Sequence, residues 1–207
     1  MILYLKINKF DRLRMTPSEV NSLMEFCWHS YANISSEKTF GTTNTSELPQ
    51  DNPMPTIRKT AKGKPFFSSV DAAHIHFSIS HSGRVWAVLF GDAEVGLDLE
   101  DCSFRFQEKS YDSIRFEKIA QRFFSKEELA HLSQAQDALS HEEIFFSIWT
   151  KKEAYLKYTG EGLTRSLSAF SVYNIDATFQ TIALEDRIYC TVCASEIRHK
   201  DIQIIQI

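Results

Sequence analysis

Two stretches of the sequence carry side chains that could do chemistry. In Gly96-Leu97-Asp98-Leu99-Glu100 two carboxylates stand two residues apart, and in Trp149-Thr150-Lys151-Lys152-Glu153-Ala154-Tyr155-Leu156-Lys157 an acid and a base stand four apart. On a strand, alternate residues share a face, so Asp98 and Glu100 point to one side while Leu97 and Leu99 face a core. Two carboxylates forced together repel unless a cation or a proton sits between them. The pair is therefore a candidate site for a cation or a shared proton. On a helix, Glu153 and Lys157 lie one turn apart, just beside an apolar stripe, where a half-buried side chain still reaches a cleft. The same spacing also describes a plain solvated ion pair, worth a few tenths of a kcal/mol. Lys152 is harder to read as surface. It falls near the middle of the stripe, where an unpaired ammonium is costly, so an anionic partner is expected beside it.

These groups need a helix and a strand to hold them. Phe145, Ile148, Trp149, Tyr155 and Leu156 form the stripe, Ser140 and Glu143 read as a capping box, and Gly160 supplies a left-handed stop. For the acids, Ile75 to Ser80 alternates as a strand, His81-Ser82-Gly83 reads as a turn, and Val85 to Phe90 returns as a buried strand. Gly91 to Glu94 turns again into the strand ending at Glu100. This is a meander that ends in acid.

The rest of the chain supplies the frame. Met1 to Ile7 suits an opening strand, followed by the basic stretch Lys9 to Arg14. Thr16-Pro17-Ser18-Glu19 starts a core helix with a cap, a first-turn proline and a glutamate. Ser35 to Pro55, rich in Ser, Thr, Asn and Pro, reads as a long loop. Asp112 or Ser113 caps a helix through Ile119 and Phe123, and Ser125-Lys126-Glu127-Glu128 opens a short helix to Leu132. Ser168 to Ile175, Thr178 to Leu184, Arg187 to Ala194 and Ile202 to Ile207 read as four strands. Each half thus holds a helix and antiparallel strands, with no residue-level repeat.

Composition narrows the classes. The chain has 207 residues and a net charge of -4, which gives no general pull toward nucleic acid. No apolar run is long enough to span a bilayer, and the first six residues are too short for a signal peptide, so a cytoplasmic protein is expected. Of Cys27, Cys102, Cys190 and Cys193, the last two make a lone Cys-x-x-Cys on a strand, where positions three apart face opposite ways, so packing is expected rather than joint ligation. His74, His76 and His81 fit hydrogen bonding better than a zinc site. The basic cluster of Arg58, Lys59, Lys62 and Lys64 is either a solvated face or, beside its Gly turn, a receiver of phosphates.

Taken in order, Gly63-Lys64-Pro65, Ser80-His81-Ser82-Gly83, Gly96 to Glu100 and Trp149 to Lys157 resemble the 4'-phosphopantetheinyl transferases of the Sfp type. Arg122-Phe123-Phe124-Ser125 resembles the family's RFFS. Gly160-Glu161-Gly162-Leu163, with Leu167, Phe170 and Val172, resembles its G-x-G-L strand entry. The resemblance implies an α+β fold of two similar lobes related by a pseudo-twofold, residues 1–101 and 102–207, with the active site in the cleft between them. It implies a monomer that uses coenzyme A and Mg2+ to modify an apo acyl- or peptidyl-carrier protein, giving the holo carrier and adenosine 3',5'-bisphosphate.

Carried over by position, Asp98, Glu100 and Glu153 would hold the metal, a hard cation suited to oxygen ligands. Glu153 would also be the base for the acceptor serine, and His81 and Lys157 would contact the pyrophosphate, with Lys157 helping the leaving group. Lys64 and Ser80 would line the coenzyme cleft, and Gly63 and Pro65 would shape its turn. Arg58, with Lys59 and Lys62, would stand in for cations the family carries before that turn, or affinity for coenzyme A would be weak. That arginine-rich segment has no clear match here, and the stretch between Glu100 and Arg122 looks extended. Two rivals follow: a non-catalytic relative that binds coenzyme A or a carrier protein, and an unrelated metal-dependent phosphohydrolase using His76 and His81 as further ligands.

Overall fold

The structure is a computed structural model that describes residues 1–8, 15–39, 53–103, 112–162, 166–185, 187–198 and 202–207. The basic stretch Lys9 to Arg14, most of the loop before Pro53, the extension at 104–111 and Leu163 lie outside the described residues. Strand β1 (Ile2–Ile7) leads to helix α1 (Pro17–Thr39), then a short hairpin of β2 (Ile57–Lys59) and β3 (Pro65–Phe67). The meander follows as β4 (His76–Ser82), β5 (Val85–Gly91) and β6 (Val95–Asp101). Helices α2 (Ser113–Phe123), α3 (Lys126–Leu132) and α4 (Ala138–Thr159) precede a 3-10 turn at Leu167–Ala169 and strands β7 (Thr178–Ala183), β8 (Ile188–Ala194) and β9 (Gln203–Gln206). The architecture is mixed α+β.

Two larger sheets organise the molecule, in the orders β4-β5-β1-β9 and β6-β8-β7. β9 runs parallel to β1, and β6 runs antiparallel to β8. Each of these pairings joins a strand within residues 1–101 to one after them. β5 is buried along its whole length, in keeping with its unbroken run Val-Trp-Ala-Val-Leu-Phe. One face of the first sheet packs on α1 through Trp28, Tyr31, Phe67, Phe77 and Phe90. Leu3, Leu5, Ala87 and Leu89 on the other face meet Leu97, Leu99, Cys190 and Val192 of the second sheet. A third cluster, rich in phenylalanine, gathers α2, α4 and the segment at 167–172.

Several local readings differ from the structure. α1 continues through Ser35 to Thr39, because after the first-turn Pro17 neither Gly nor Pro falls before that point. His81 and Ser82 stay in β4, and the turn is made by Gly83 and Arg84, with Gly83 at φ +54°. Helix α4 starts two residues before Ser140: Asp137 is the N-cap, accepting the Ser140 N–H at 2.8 Å, while Ser140 Oγ accepts the Asp137 N–H. Residues 168–175 form the 3-10 turn and bends instead of a strand. Gly160 ends α4 in the left-handed region at φ +68°, as its position predicts.

Candidate active site

Glycine at position 96 decides how close α4 can come. A Cβ there would lie 1.9 Å from the Ala154 carbonyl oxygen and 2.6 Å from the Tyr158 nitrogen, so the helix backbone rests directly on β6. That contact sets Glu153 and Lys157 opposite Asp98. Lys157 Nζ donates to Asp98 Oδ1 at 2.8 Å and to Ser80 Oγ at 3.0 Å, and Ser80 Oγ donates to Asp98 Oδ1 at 3.1 Å. A second tie holds α4 to the sheet, where the Thr150 and Thr191 hydroxyls meet at 2.8 Å.

Serines at alternate positions of β4 form a comb against β6. Ser78 Oγ accepts the Leu97 N–H at 3.0 Å, Ser80 Oγ accepts the Leu99 N–H at 3.2 Å, and Ser82 Oγ donates to Glu100 Oε2 at 2.7 Å. β4 and β6 are edge strands of different sheets. The Ser78 and Ser80 hydroxyls therefore do what a backbone ladder does elsewhere, satisfying buried strand amides, while Ser82 meets a carboxylate.

Electrostatics single out the same acids. Asp98 is 6 % exposed, and burial raises its pKa, opposed by Lys157 and reinforced by Glu100. Glu153 is raised first by burial and then by Asp98 and Glu100, with Lys157 pulling the other way. The three carboxylates thus repel one another, although among the described residues no three His, Cys, Asp or Glu side chains form a preformed ligand cluster. Asp98 Oδ2 is buried with no hydrogen-bond partner. An orphaned carboxylate oxygen among mutually repelling acids is the donor chemistry a hard divalent cation takes.

Of the other candidates, some line a cleft of about 230 Å³ beside the acids: Gly63, Lys64 and Pro65 from the β2–β3 hairpin, with Glu153, Leu156 and Lys157 from α4. Gly63 turns that hairpin at φ +91°. The Lys64 ammonium is engaged, donating to the Tyr158 carbonyl at 2.6 Å and pairing with Glu94. Arg58 is exposed on β2 and lines a neighbouring groove with Lys64 and Pro65. His81 is exposed on the face of β4 opposite the serines, away from the carboxylates. His76 lies on the serine face with Nδ1 3.2 Å from Glu94 Oε1, so His76 and His81 point to opposite sides and cannot share one ion. That geometry removes the phosphohydrolase rival's ligand set.

Lys152 has the anionic partner its position demands. Its Nζ lies 2.8 Å from Glu128 Oε2, donates to the Leu167 and Phe170 carbonyls at 2.7 and 2.8 Å, and sits over the Phe170 ring. It is a structural pillar under α4. Sequence reading missed Ser78, Ser82 and Asp101. The last, 0 % exposed, accepts the Arg84 N–H at 2.8 Å and Arg84 Nε at 3.1 Å. The only available signal was the Ser-x-Ser-x-Ser alternation on β4.

The acid-bearing edge strand and the lysine-bearing helix that clasps it both lie in the part of the chain that matches a known family. Residues 94–205 match the model of the 4'-phosphopantetheinyl transferase superfamily, more than half of the chain, and the protein belongs to that superfamily. It is similar to the 4'-phosphopantetheinyl transferase psf-1 of Bacillus pumilus, 37 % identical over 125 residues, which are 60 % of this chain and 48 % of that protein. It is also similar to the transferase Sfp of Bacillus subtilis strain 168, 37 % identical over 110 residues (53 % and 43 %), and to AcpT of Salmonella typhimurium, 33 % over 128 residues (61 % and 58 %). The chain spans about half the length of the curated relatives it matches. Among the described residues, no helix is long and apolar enough to cross a membrane.

Proposed function

We propose that this protein transfers the 4'-phosphopantetheine group of coenzyme A to a serine of an apo acyl- or peptidyl-carrier protein. The observation that carries the reading is the clasp of Lys157 on Asp98, set by the close approach of α4 to Gly96, within the segment shared with the transferases. The serine oxygen attacks the phosphorus on the pantetheine side of the pyrophosphate. The bond from that phosphorus to the bridging oxygen breaks, and adenosine 3',5'-bisphosphate leaves with the bridging oxygen.

Asp98, Glu100 and Glu153 would hold Mg2+. When bound, the ion neutralises the pyrophosphate and stabilises charge in the transition state. Glu153 takes the proton of the attacking serine. Burial and its acidic neighbours raise its proton affinity, which suits a base at this position. Lys157 stands where it can pass from Asp98 to the departing phosphate, offsetting charge as the bond breaks. Lys64 lines the cleft and buried Ser80 stands behind it, bonded to Lys157 and Asp98, while Arg58 on the neighbouring groove and exposed His81 are assigned to the far end of the ligand by the family resemblance alone. The reading includes the two-lobed, pseudo-twofold arrangement of the family, with residues 1–101 and 102–207 flanking the cleft, acting as a cytoplasmic monomer.

Intact mass of a panel of apo carrier proteins, after incubation with this protein, coenzyme A and Mg2+, tests the reading. A gain of one phosphopantetheine group, abolished by a chelator, is the expected result. No gain on any carrier, with coenzyme A binding still seen by calorimetry, would make the protein a non-catalytic binding relative.

A further inference from the structure

Asp98 and Glu100 share a face of β6 but are held differently. Asp98 is buried and fixed by Ser80 and Lys157, whereas Glu100 is only half buried, near the end of the strand, on a longer and more flexible side chain. What orients it is the neighbouring strand. Ser82 Oγ donates to Glu100 Oε2 at 2.7 Å, within the short range of a hydrogen bond to a charged acceptor.

Ser82 is itself locked. It ends β4 immediately before Gly83, whose positive φ makes the turn, and a Cβ on Gly83 would lie 2.6 Å from Asp101 Oδ2. Buried Asp101 accepts both the backbone and the side-chain N–H of Arg84, so the turn is pinned to the strand that carries Glu100. The donor and the carboxylate are thus fixed to one rigid corner.

We propose that Ser82 is a positioning residue that presents the Glu100 carboxylate to the metal, an inference that rests on the metal-dependent transferase reading above. It acts through Glu100 and touches neither coenzyme A nor the reacting atoms. Partners that orient a ligating carboxylate typically govern metal affinity by tenfold or more on removal. Ser82→Ala therefore weakens Mg2+ about tenfold. The KM for coenzyme A stays within a factor of two.

The test is calorimetric titration of Mg2+ into the full chain with coenzyme A present, alongside the metal concentration for half-maximal transfer. Wild type, Ser82→Ala and Ser82→Thr are compared, with circular dichroism to check folding. Weaker metal binding in Ser82→Ala, recovered in Ser82→Thr, which keeps the hydroxyl, supports the proposal. Unchanged metal affinity in a folded Ser82→Ala overturns it while leaving the transferase reading intact, as does equal loss in both variants, which marks Ser82 as packing alone. A wild-type chain that binds coenzyme A and no divalent cation overturns the metal-dependent reading and this inference together.

Discussion

Lys152 and Glu128 form an ion pair, Nζ to Oε2 2.8 Å, in which neither side chain reaches solvent. Glu128 also accepts the Ser125 and Val172 N–H groups, so one buried pair joins α3, α4 and the 167–172 segment. Removing one partner leaves an uncompensated buried charge, at a cost of about 3–5 kcal/mol. Lys152→Met should lower stability by that amount in urea unfolding. Adding Glu128→Gln should cost much less than the sum of the two single changes.

Gly96→Ala should be among the most damaging small substitutions. The added methyl meets helix backbone, which cannot rotate away as a side chain can. Overpacking of this kind costs about 3 kcal/mol. The same displacement of α4 from β6 should depress carrier modification at temperatures where the variant remains folded, measured by intact mass.

Within the site, Asp98→Asn and Glu153→Gln keep shape while removing charge. Both should retain the wild-type circular dichroism spectrum. Loss of the base in Glu153→Gln should slow transfer by about a hundredfold or more. Transfer at the wild-type rate in either variant would remove that residue from the mechanism.

The cap of α4 gives a prediction about acid. Hydrogen bonds from Ser140 hold the Asp137 carboxyl below the ordinary aspartate value of 3.8. A group depressed on folding stabilises above its unfolded pKa, and that contribution disappears as pH falls through the folded value. Asp137→Ala should therefore melt below wild type at pH 7, with the gap closing as pH drops under 3.8. A gap independent of pH would show that the carboxylate charge is not what caps the helix.

Much of this was legible because burial leaves a period in the sequence. Leu97 and Leu99 alternating with Asp98 and Glu100 gave both the strand and the shared face of the acids, and the mid-stripe Lys152 announced a hidden anion. What stayed illegible depends on distant partners. Alternation marks β9 and β6 as strands without saying that they pair with β1 and β8. A serine shows no trace of the partner it will meet, so Ser78 reads as an ordinary strand polar and Ser82 as part of a turn. His81 fell in the wrong element because Ser-Gly mimics a turn start, while the actual corner is set by Asp101 from another strand. The cap of α4 was misplaced because Ser140 serves the Asp137 amide instead of starting the helix itself.

The comb of hydroxyls between β4 and β6 gives the seam under the site an unusual kind of editability. A backbone ladder is the same whatever residues it joins, so its stiffness is a property of topology and resists change by point mutation. Here two sheets meet through side-chain oxygens on Ser78, Ser80 and Ser82. Single codon changes can therefore loosen, tighten or retune the grip on the acid strand tooth by tooth, leaving both sheets and their connections as they are.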